Sequence, residues 1–296
     1  MSELAQLLAN GLVTGSIIAI AAIGLTLVYG ILKIVNFAHG EYLTFGAFAA
    51  FLVDVTWGVG IVAALLFAMV MTAALGVLLE LVLWRPLRRR RAGMISLFIT
   101  SIGLALVLRH VIFLWWGAQP RRYDVDVFQV FELAIVRLSR SQLTAIALAF
   151  AAIALVGLML ARTKLGKSMR ALSDDPELAS VAGIDVQRVT LATWILAAGL
   201  AGLGGVLQGL VQASFNPNMG FTLLLPIFAA VVLGGIGNAY GALAGGVVLG
   251  VAMELSTWDV LAGGIPAVYK PAVAFSVLIL VLLARPQGVL GKARTV

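Results

Sequence analysis

The chain of 296 residues contains no cysteine. That excludes disulfides, thiolate nucleophiles and cysteine-ligated metal sites. Histidine occurs twice and acids number 13, too few ligands for a metal cluster, so no metal or other cofactor is expected. Charged residues make up 11% of the chain and hydrophobic residues 62%, whereas a soluble globular domain is about 25% charged and about 45–50% apolar. No soluble fold of this length could hide so much apolar surface, so the surrounding medium must be lipid. The phosphate-binding pattern GxxxxGK[ST] is also missing, and the longest loops, 117–141 and 162–188, are too short to hold a soluble domain. Whatever this chain does to a solute, it does not hydrolyse ATP itself.

Long apolar runs and glycine are abundant. The 32 glycines fit membrane helices, which tolerate glycine better than soluble ones do. A helix needs about 20 apolar residues to cross the hydrocarbon core. Clear spans are 7–30, 61–83, 94–116, 142–161 and 189–211. Shorter apolar pieces are 40–53, 223–236, 239–255 and 272–284, the last able to begin near Ala267. The expected fold is an all-α polytopic membrane protein with eight or nine transmembrane helices, some broken or re-entrant, forming one domain over 1–296. The opening "MSELAQLLANGLVTG" lacks the positive n-region and small-residue cleavage site of a secretory signal, so the first span is expected to be retained.

Charge sets the direction. The net charge of +7 reads as cytoplasmic loops obeying the positive-inside rule. Nucleic-acid binding is not expected, because no basic, aromatic-studded soluble surface exists to carry it. "RPLRRRR" (85–91) holds five arginines, 162–188 holds five bases, and the tail adds Arg285, Lys292 and Arg294. With these in the cytoplasm, every clear span alternates in order, the N-terminus and the loop 117–141 are outside, and the tail is inside. The loop 117–141 carries four arginines of its own, which weakens the asymmetry. Trp115, Trp116 and Trp258 then belong at the outer interface.

One stretch reads like a soluble protein: "GKSMRALSDDPELASVAGID" (166–185). Asp174 and Asp175 precede Pro176, and proline is favoured at the first helical position with Asp at the cap before it. Glu177 falls in the first turn, where the helix dipole favours an acid, and Gly183 suits a left-handed stop. The prediction is a two-turn helix over 176–182, too short to be stable alone. It is either a helical surface loop or a coupling helix docked on a separate cytoplasmic subunit.

Two polar breaks interrupt the apolar runs. In "KIVNFAHGE" (33–41), Asn36 can cap the following helix, with His39 and Glu41 in its first turn. Alternatively the break lines a solute path, since ionisable groups at membrane depth usually face a cavity or a partner. "VLGGIGNAYGALAGG" (232–246), which contains Asn238, is the expected counterpart in the second half, because broken helices in corresponding halves mark a transporter's binding region. "GLAGLGG" (199–205) suits close helix contact. Arg109 and His110, well along the fourth span, either snorkel toward the outer headgroups or make a polar contact with another helix or a second subunit. Glu80 is expected to be paired near the inner interface. Glu254 and Asp259 flank the outer end of a late segment.

The charged loop is similar to the coupling loop of ABC importer permeases. "GLVTGSIIAIAAIGLTLVYGILKIVNFAHGEYLTFGAF", "IFAAVVLGGIGNAYGALAGGVVLG" and the closing "ARPQGVLG" resemble the branched-chain amino-acid permease family of the LivH type, from Gly11 to Gly291. The resemblance implies a permease subunit in a bacterial or archaeal cytoplasmic (inner) membrane, working with a second related permease, two cytoplasmic ATPase subunits and an extracytoplasmic solute-binding protein. It implies an ATPase-coupling role for Arg170, Asp175, Glu177, Ala179 and Gly183, while the two polar breaks make Asn36, His39, Glu41 and Asn238 candidates for the translocation path. An apolar, small-residue path suits leucine, isoleucine or valine, while the same family also carries urea, short amides and other amino acids.

Two other classes compete. A gradient-driven secondary transporter would need buried acids as coupling sites, and the clear spans hold hardly any apart from Glu80. An intramembrane enzyme would need a clustered nucleophile and base, and none is visible within the spans.

Overall fold

Lipid cannot satisfy backbone polar groups, so a spanning chain must satisfy them within helices or a closed β-barrel, and this chain uses helices. The computed structural model describes residues 2–125, 129–133, 136–259, 264–285 and 288–289. Its helices, in order, are α1 (Ser2–Leu32), α2 (His39–Phe51), α3 (Ile61–Leu79), α4 (Arg85–Arg89), α5 (Met94–Trp116), α6 (Arg140–Arg162), α7 (Lys164–Asp174), α8 (Pro176–Val181), α9 (Val186–Gln212), α10 (Met219–Gly234), α11 (Ala239–Leu255) and α12 (Lys270–Ala284). π-Helical segments extend α2 (Leu52–Thr56) and join α3 to α4 (Glu80–Trp84). Ahead of α6 lies an antiparallel hairpin, β1 (Val130–Leu133) and β2 (Val136–Ser139), with Val130 opposite Ser139.

Among the described residues, six stretches are long and apolar enough to cross a membrane: Glu3–Leu32, Ile61–Arg89, Met94–Trp116, Arg140–Arg162, Val186–Gln212 and Ala267–Ala284. α10 and α11 are apolar but shorter, and α2 has 13 residues. The architecture is mostly helical and membrane-spanning, as the composition requires, and the pieces that read as short are short.

α1 and α9 form the buried centre of the bundle, with most of both helices inaccessible. α1 runs against α11 at backbone contact: a Cβ on Gly11 would lie 2.7 Å from the Val251 Cα, and one on Gly15 would lie 2.8 Å from the Val247 Cα. Small residues let membrane helices approach this closely. α3, α5, α6 and α12 lie at the periphery. Their outer faces are apolar, as Val62, Leu114 and Leu155 show at 75%, 83% and 67% exposure, a pattern suited to lipid rather than water.

The two ends of the bundle differ. At one end, Gln6 exchanges two hydrogen bonds with the Arg137 backbone of the hairpin, at 2.9 and 2.8 Å. Asp54 accepts the Asp124 N–H at 2.9 Å, and Lys270 pairs with Glu254 at 2.7 Å. Burial pushes the Tyr123 phenol well above its usual range, and the Asp54 carboxylate pushes in the same direction. At the other end, Arg85 Nη2 donates to Gln187 Oε1 at 2.7 Å, and Arg88 pairs with the buried Glu80. The basic stretch 85–91 therefore shares an end with the charged loop, and the described part of 117–141 lies opposite. Lys292 and Arg294 lie outside the described residues.

Two elements were not expected. α7 precedes α8 in the charged loop, where one short helix was predicted, and it buries Met169 and Leu172 on one face. The hairpin occupies part of a segment read as a plain loop.

Candidate functional site

The first break does not run straight through the membrane. After Leu32 the chain leaves the helix at Lys33, whose φ is 54° and whose Nζ donates to the Gly30 carbonyl at 2.7 Å. It then turns back, so that His39, the first residue of α2, donates from Nε2 to the Ala21 carbonyl at 2.9 Å. Ala21 lies more than two turns before the end of α1. α2 therefore starts level with the interior of α1.

A second re-entrant segment meets it there. "NFAHG" (36–40) has its likeness in "NPNMG" (216–220). Asn36 Oδ1 accepts the Ala38 N–H at 3.1 Å, and its carbonyl accepts the His39 N–H at 3.2 Å. Asn216 Oδ1 accepts the Asn218 N–H at 2.9 Å, and its carbonyl accepts the Met219 N–H at 3.0 Å. Each turn opens a short apolar helix, α2 or α10. Gly40 and Gly220 touch backbone to backbone, so that a Cβ on either would collide with the other's carbonyl. Gly220 N–H donates to Thr44 Oγ1 at 3.0 Å. Two half-helices thus meet at their N-termini inside the bundle.

A charged pair sits at this crossing. Arg109 of α5 donates to one oxygen of Glu41, from Nε at 3.0 Å and from Nη2 at 2.7 Å, and its guanidinium lies 4.2 Å from the centroid of the Phe221 ring. It therefore holds the residue after Gly40 and the residue after Gly220 together. Glu41 is 1% exposed and Arg109 13%.

The charged loop is attached to the same framework. Ser173 Oγ, near the end of α7, donates to the Gly30 carbonyl at 2.7 Å, one turn before the first break. Gly30 also abuts Gly237, and the Gly237 N–H donates to Thr26 Oγ1 at 3.1 Å. The end of α1 is thus touched by α7, by the first break and by the turn between α10 and α11. Below it, Asp175 Oδ1 caps α8 by accepting the N–H groups of Glu177 (2.9 Å) and Leu178 (3.0 Å). The chain leaves α8 through Gly183 at φ 82°, with the Ile184 N–H returning to the Ala179 carbonyl at 3.0 Å. Ala179 is buried, while Leu178 and Val181 stand 66% and 87% exposed.

Residues 7–282 match the family described as "Branched-chain amino acid transport system / permease component". The chain belongs to this permease family. It is 34% identical to the high-affinity branched-chain amino acid transport system permease protein BraD of Pseudomonas aeruginosa, over 97% of this chain and 95% of that one. It is 33% identical, over the same shares, to the corresponding LivH protein of Salmonella typhimurium. A probable branched-chain amino acid transport permease protein LivH of Methanocaldococcus jannaschii is 29% identical over 97% of this chain and 92% of its own.

Within this permease, Asn36, His39 and Glu41 converge at the crossing, whereas Asn238 lies apart from it. Asn238 caps α11, its Oδ1 accepting the Tyr240 and Gly241 N–H groups at 3.0 and 3.2 Å. Asn36 differs from its expected role: the cap position of α2 is Ala38, which makes no side-chain cap bond, and Asn36 instead closes the turn ahead of it. Arg109 turns inward to Glu41 rather than outward to headgroups, because a buried carboxylate two residues into α2 needs a counter-charge. Arg170 is exposed, yet its guanidinium donates to the Leu160 carbonyl at the end of α6, a partner the sequence did not suggest. Glu177 is exposed at the start of α8. Glu254 is held by Lys270 and by Thr14 Oγ1, which donates at 3.3 Å. The counterpart of the first break is 216–220 rather than the expected 232–246: both 36–40 and 216–220 read Asn-x-x-x-Gly and head a short apolar helix.

Proposed function

We propose that this permease is the transmembrane subunit of an ATP-driven importer of branched-chain or other hydrophobic amino acids. It works in a bacterial or archaeal cytoplasmic membrane with a second related permease, two cytoplasmic ATPase subunits and an extracytoplasmic solute-binding protein. The observation that carries the reading is the charged loop. α8 is capped, short and rigidly turned, exposes Leu178 and Val181, and is joined through α7 and Ser173 to the end of α1. An exposed apolar tip on a charged loop suits docking on a partner, and its tie to α1 supplies a route by which that partner could move the breaks. Asp175 caps this element, Ala179 anchors it, Gly183 turns the chain back, and Arg170 and Glu177 border the docking face.

Residues 1–296 act as one transmembrane unit, with 162–188 as its coupling loop. The chain crosses nine times: the six long helices, α11, and the two half-helices α2 and α10 with their re-entrant approaches. The N-terminus is outside and both basic loops are inside. A gradient-driven mechanism is disfavoured because the buried acids are engaged: Glu41 by Arg109, Glu80 by Arg88 and Asp54 by the Asp124 N–H. Co-purification tests the reading. A stable detergent complex with an ATPase subunit is expected, and a lone chain that transports by itself would refute it.

A further inference from the structure

The transport reading leaves one group of polar side chains unused. His110 is exposed on α5, next to Arg109. Arg109 is bonded to Glu41, two residues beyond His39, and His39 is bonded to the interior of α1. His110 therefore lies at the level of the crossing, deep within the span rather than near an end. Asn218, just ahead of α10, and Thr222 in its first turn are exposed at the same level, flanking Gly220 of the Gly40–Gly220 contact. Ionisable and amide groups at such depth do not face hydrocarbon; they face a water-filled cavity or a protein partner.

α5 and α10 both pack against α2. Two contacts bridge α5 and α10. Arg109 lies over Phe221 at the crossing, and Phe37 packs against Phe98 of α5 (ring centroids 5.2 Å) and Phe228 of α10 (4.9 Å). On either side, Leu106 and Leu225 are 50% and 39% exposed. At the crossing, His39 Nδ1 and Glu41 Oε2 are buried and make no hydrogen bond among the described residues, so water admitted there would have groups to serve.

We infer that a cleft between α5 and α10 forms this chain's wall of the solute path, with His110 and Thr222 facing water and the ion-paired Arg109 at its floor. The inference rests on the permease reading and adds which face carries the solute. It suits a zwitterionic amino acid: polar groups for its charged end lie beside apolar Leu106, Phe221 and Leu225 for its side chain.

The absence of native cysteine makes the test direct. Single cysteines replace His110, Leu106 or Thr222 in the cleft, Ser214 in the exposed loop before α10, and Leu155 of α6 and Ile279 of α12 on the outer apolar faces. Each is placed in the importer reconstituted in liposomes with cysteine-free partner subunits and treated with a charged, membrane-impermeant thiosulfonate. The thiolate is the reacting form, and it forms where water reaches. Leu106→Cys and Thr222→Cys are expected to react at rates like Ser214→Cys, to be slowed by saturating leucine with its binding protein, and to outpace Leu155→Cys and Ile279→Cys. His110→Cys should follow them, and Leu106→Cys keeps the test valid if that variant assembles poorly. Control-level rates at Leu106→Cys or Thr222→Cys, in an importer that still takes up leucine, overturn the inference and leave the permease reading intact. Failure of the cysteine-free parent to import with ATP would count against the permease reading instead.

Discussion

Arg109 places two N–H groups on a single oxygen of Glu41, although the residues lie on different helices and both are largely buried. The pair joins α5 to the meeting point of the two half-helices. Removing one partner of a buried pair strands the other charge, at a cost of about 3–5 kcal/mol. Arg109→Ala and Glu41→Ala should each lower the melting temperature of the purified permease sharply. The double variant should be destabilised by less than the sum of the two. Additive losses in that double-mutant cycle would mean that the pair does not hold the crossing together.

Gly40 and Gly220 have no room for a side chain, while a Cβ on Gly103 of α5 would meet nothing within 4 Å. Overpacking a closely fitted contact costs about 1–3 kcal/mol. Gly220→Ala should therefore reduce folded yield and thermal stability, and Gly103→Ala should leave both unchanged. Equal stability of the two variants would contradict the backbone contact.

Much of this architecture is legible in the sequence, for physical reasons. Apolar run length marks the long helices, because lipid thickness fixes how many residues must be apolar. The cap at Asp175, the proline after it and the stop at Gly183 are local chemistry, and the observed α8 differs from the expected 176–182 only at its end. The Glu41–Arg109 pair was not legible, because it depends on which helices pack together, and no spacing encodes that. α7 was hidden because its sequence is as polar as a loop; its helix is stabilised by burying Met169 and Leu172 against the bundle. The meeting of α2 and α10 was half visible: each short piece could be read, but the contact of Gly40 with Gly220 belongs to tertiary structure.

Ser173 links the charged loop to α1 through one hydrogen bond, worth about 1 kcal/mol net. Ser173→Ala should leave folding and ATPase association nearly unchanged while lowering the uptake obtained per ATP hydrolysed. Unchanged coupling in reconstituted vesicles would remove this bond from the transmission route.

Val181 is the most exposed large apolar residue of α8, and a Cβ on Gly183 would find open space in the isolated chain. A charge at position 181 should leave the permease inserted and folded but weaken its hold on the ATPase, since losing a desolvated interface anchor costs about 2 kcal/mol or more. Gly183→Leu adds a strained left-handed backbone of about 1–2 kcal/mol and should also uncouple hydrolysis from uptake. Subunit pull-down reads both effects; undiminished recovery of the ATPase with either variant would sink the docking role of α8. Arg91→Ala, on the neighbouring basic turn, should have the smaller effect.

In the proposed importer, ATP hydrolysis on partner subunits drives solute through this chain. The most direct measurement is uptake of radiolabelled leucine into proteoliposomes holding the assembled permeases and ATPase subunits, with the binding protein outside. Uptake that requires ATP inside the vesicles, and persists when ionophores abolish every ion gradient, is the predicted result. Uptake that continues without ATP and collapses with the gradient would rule out ATP-driven import by this permease.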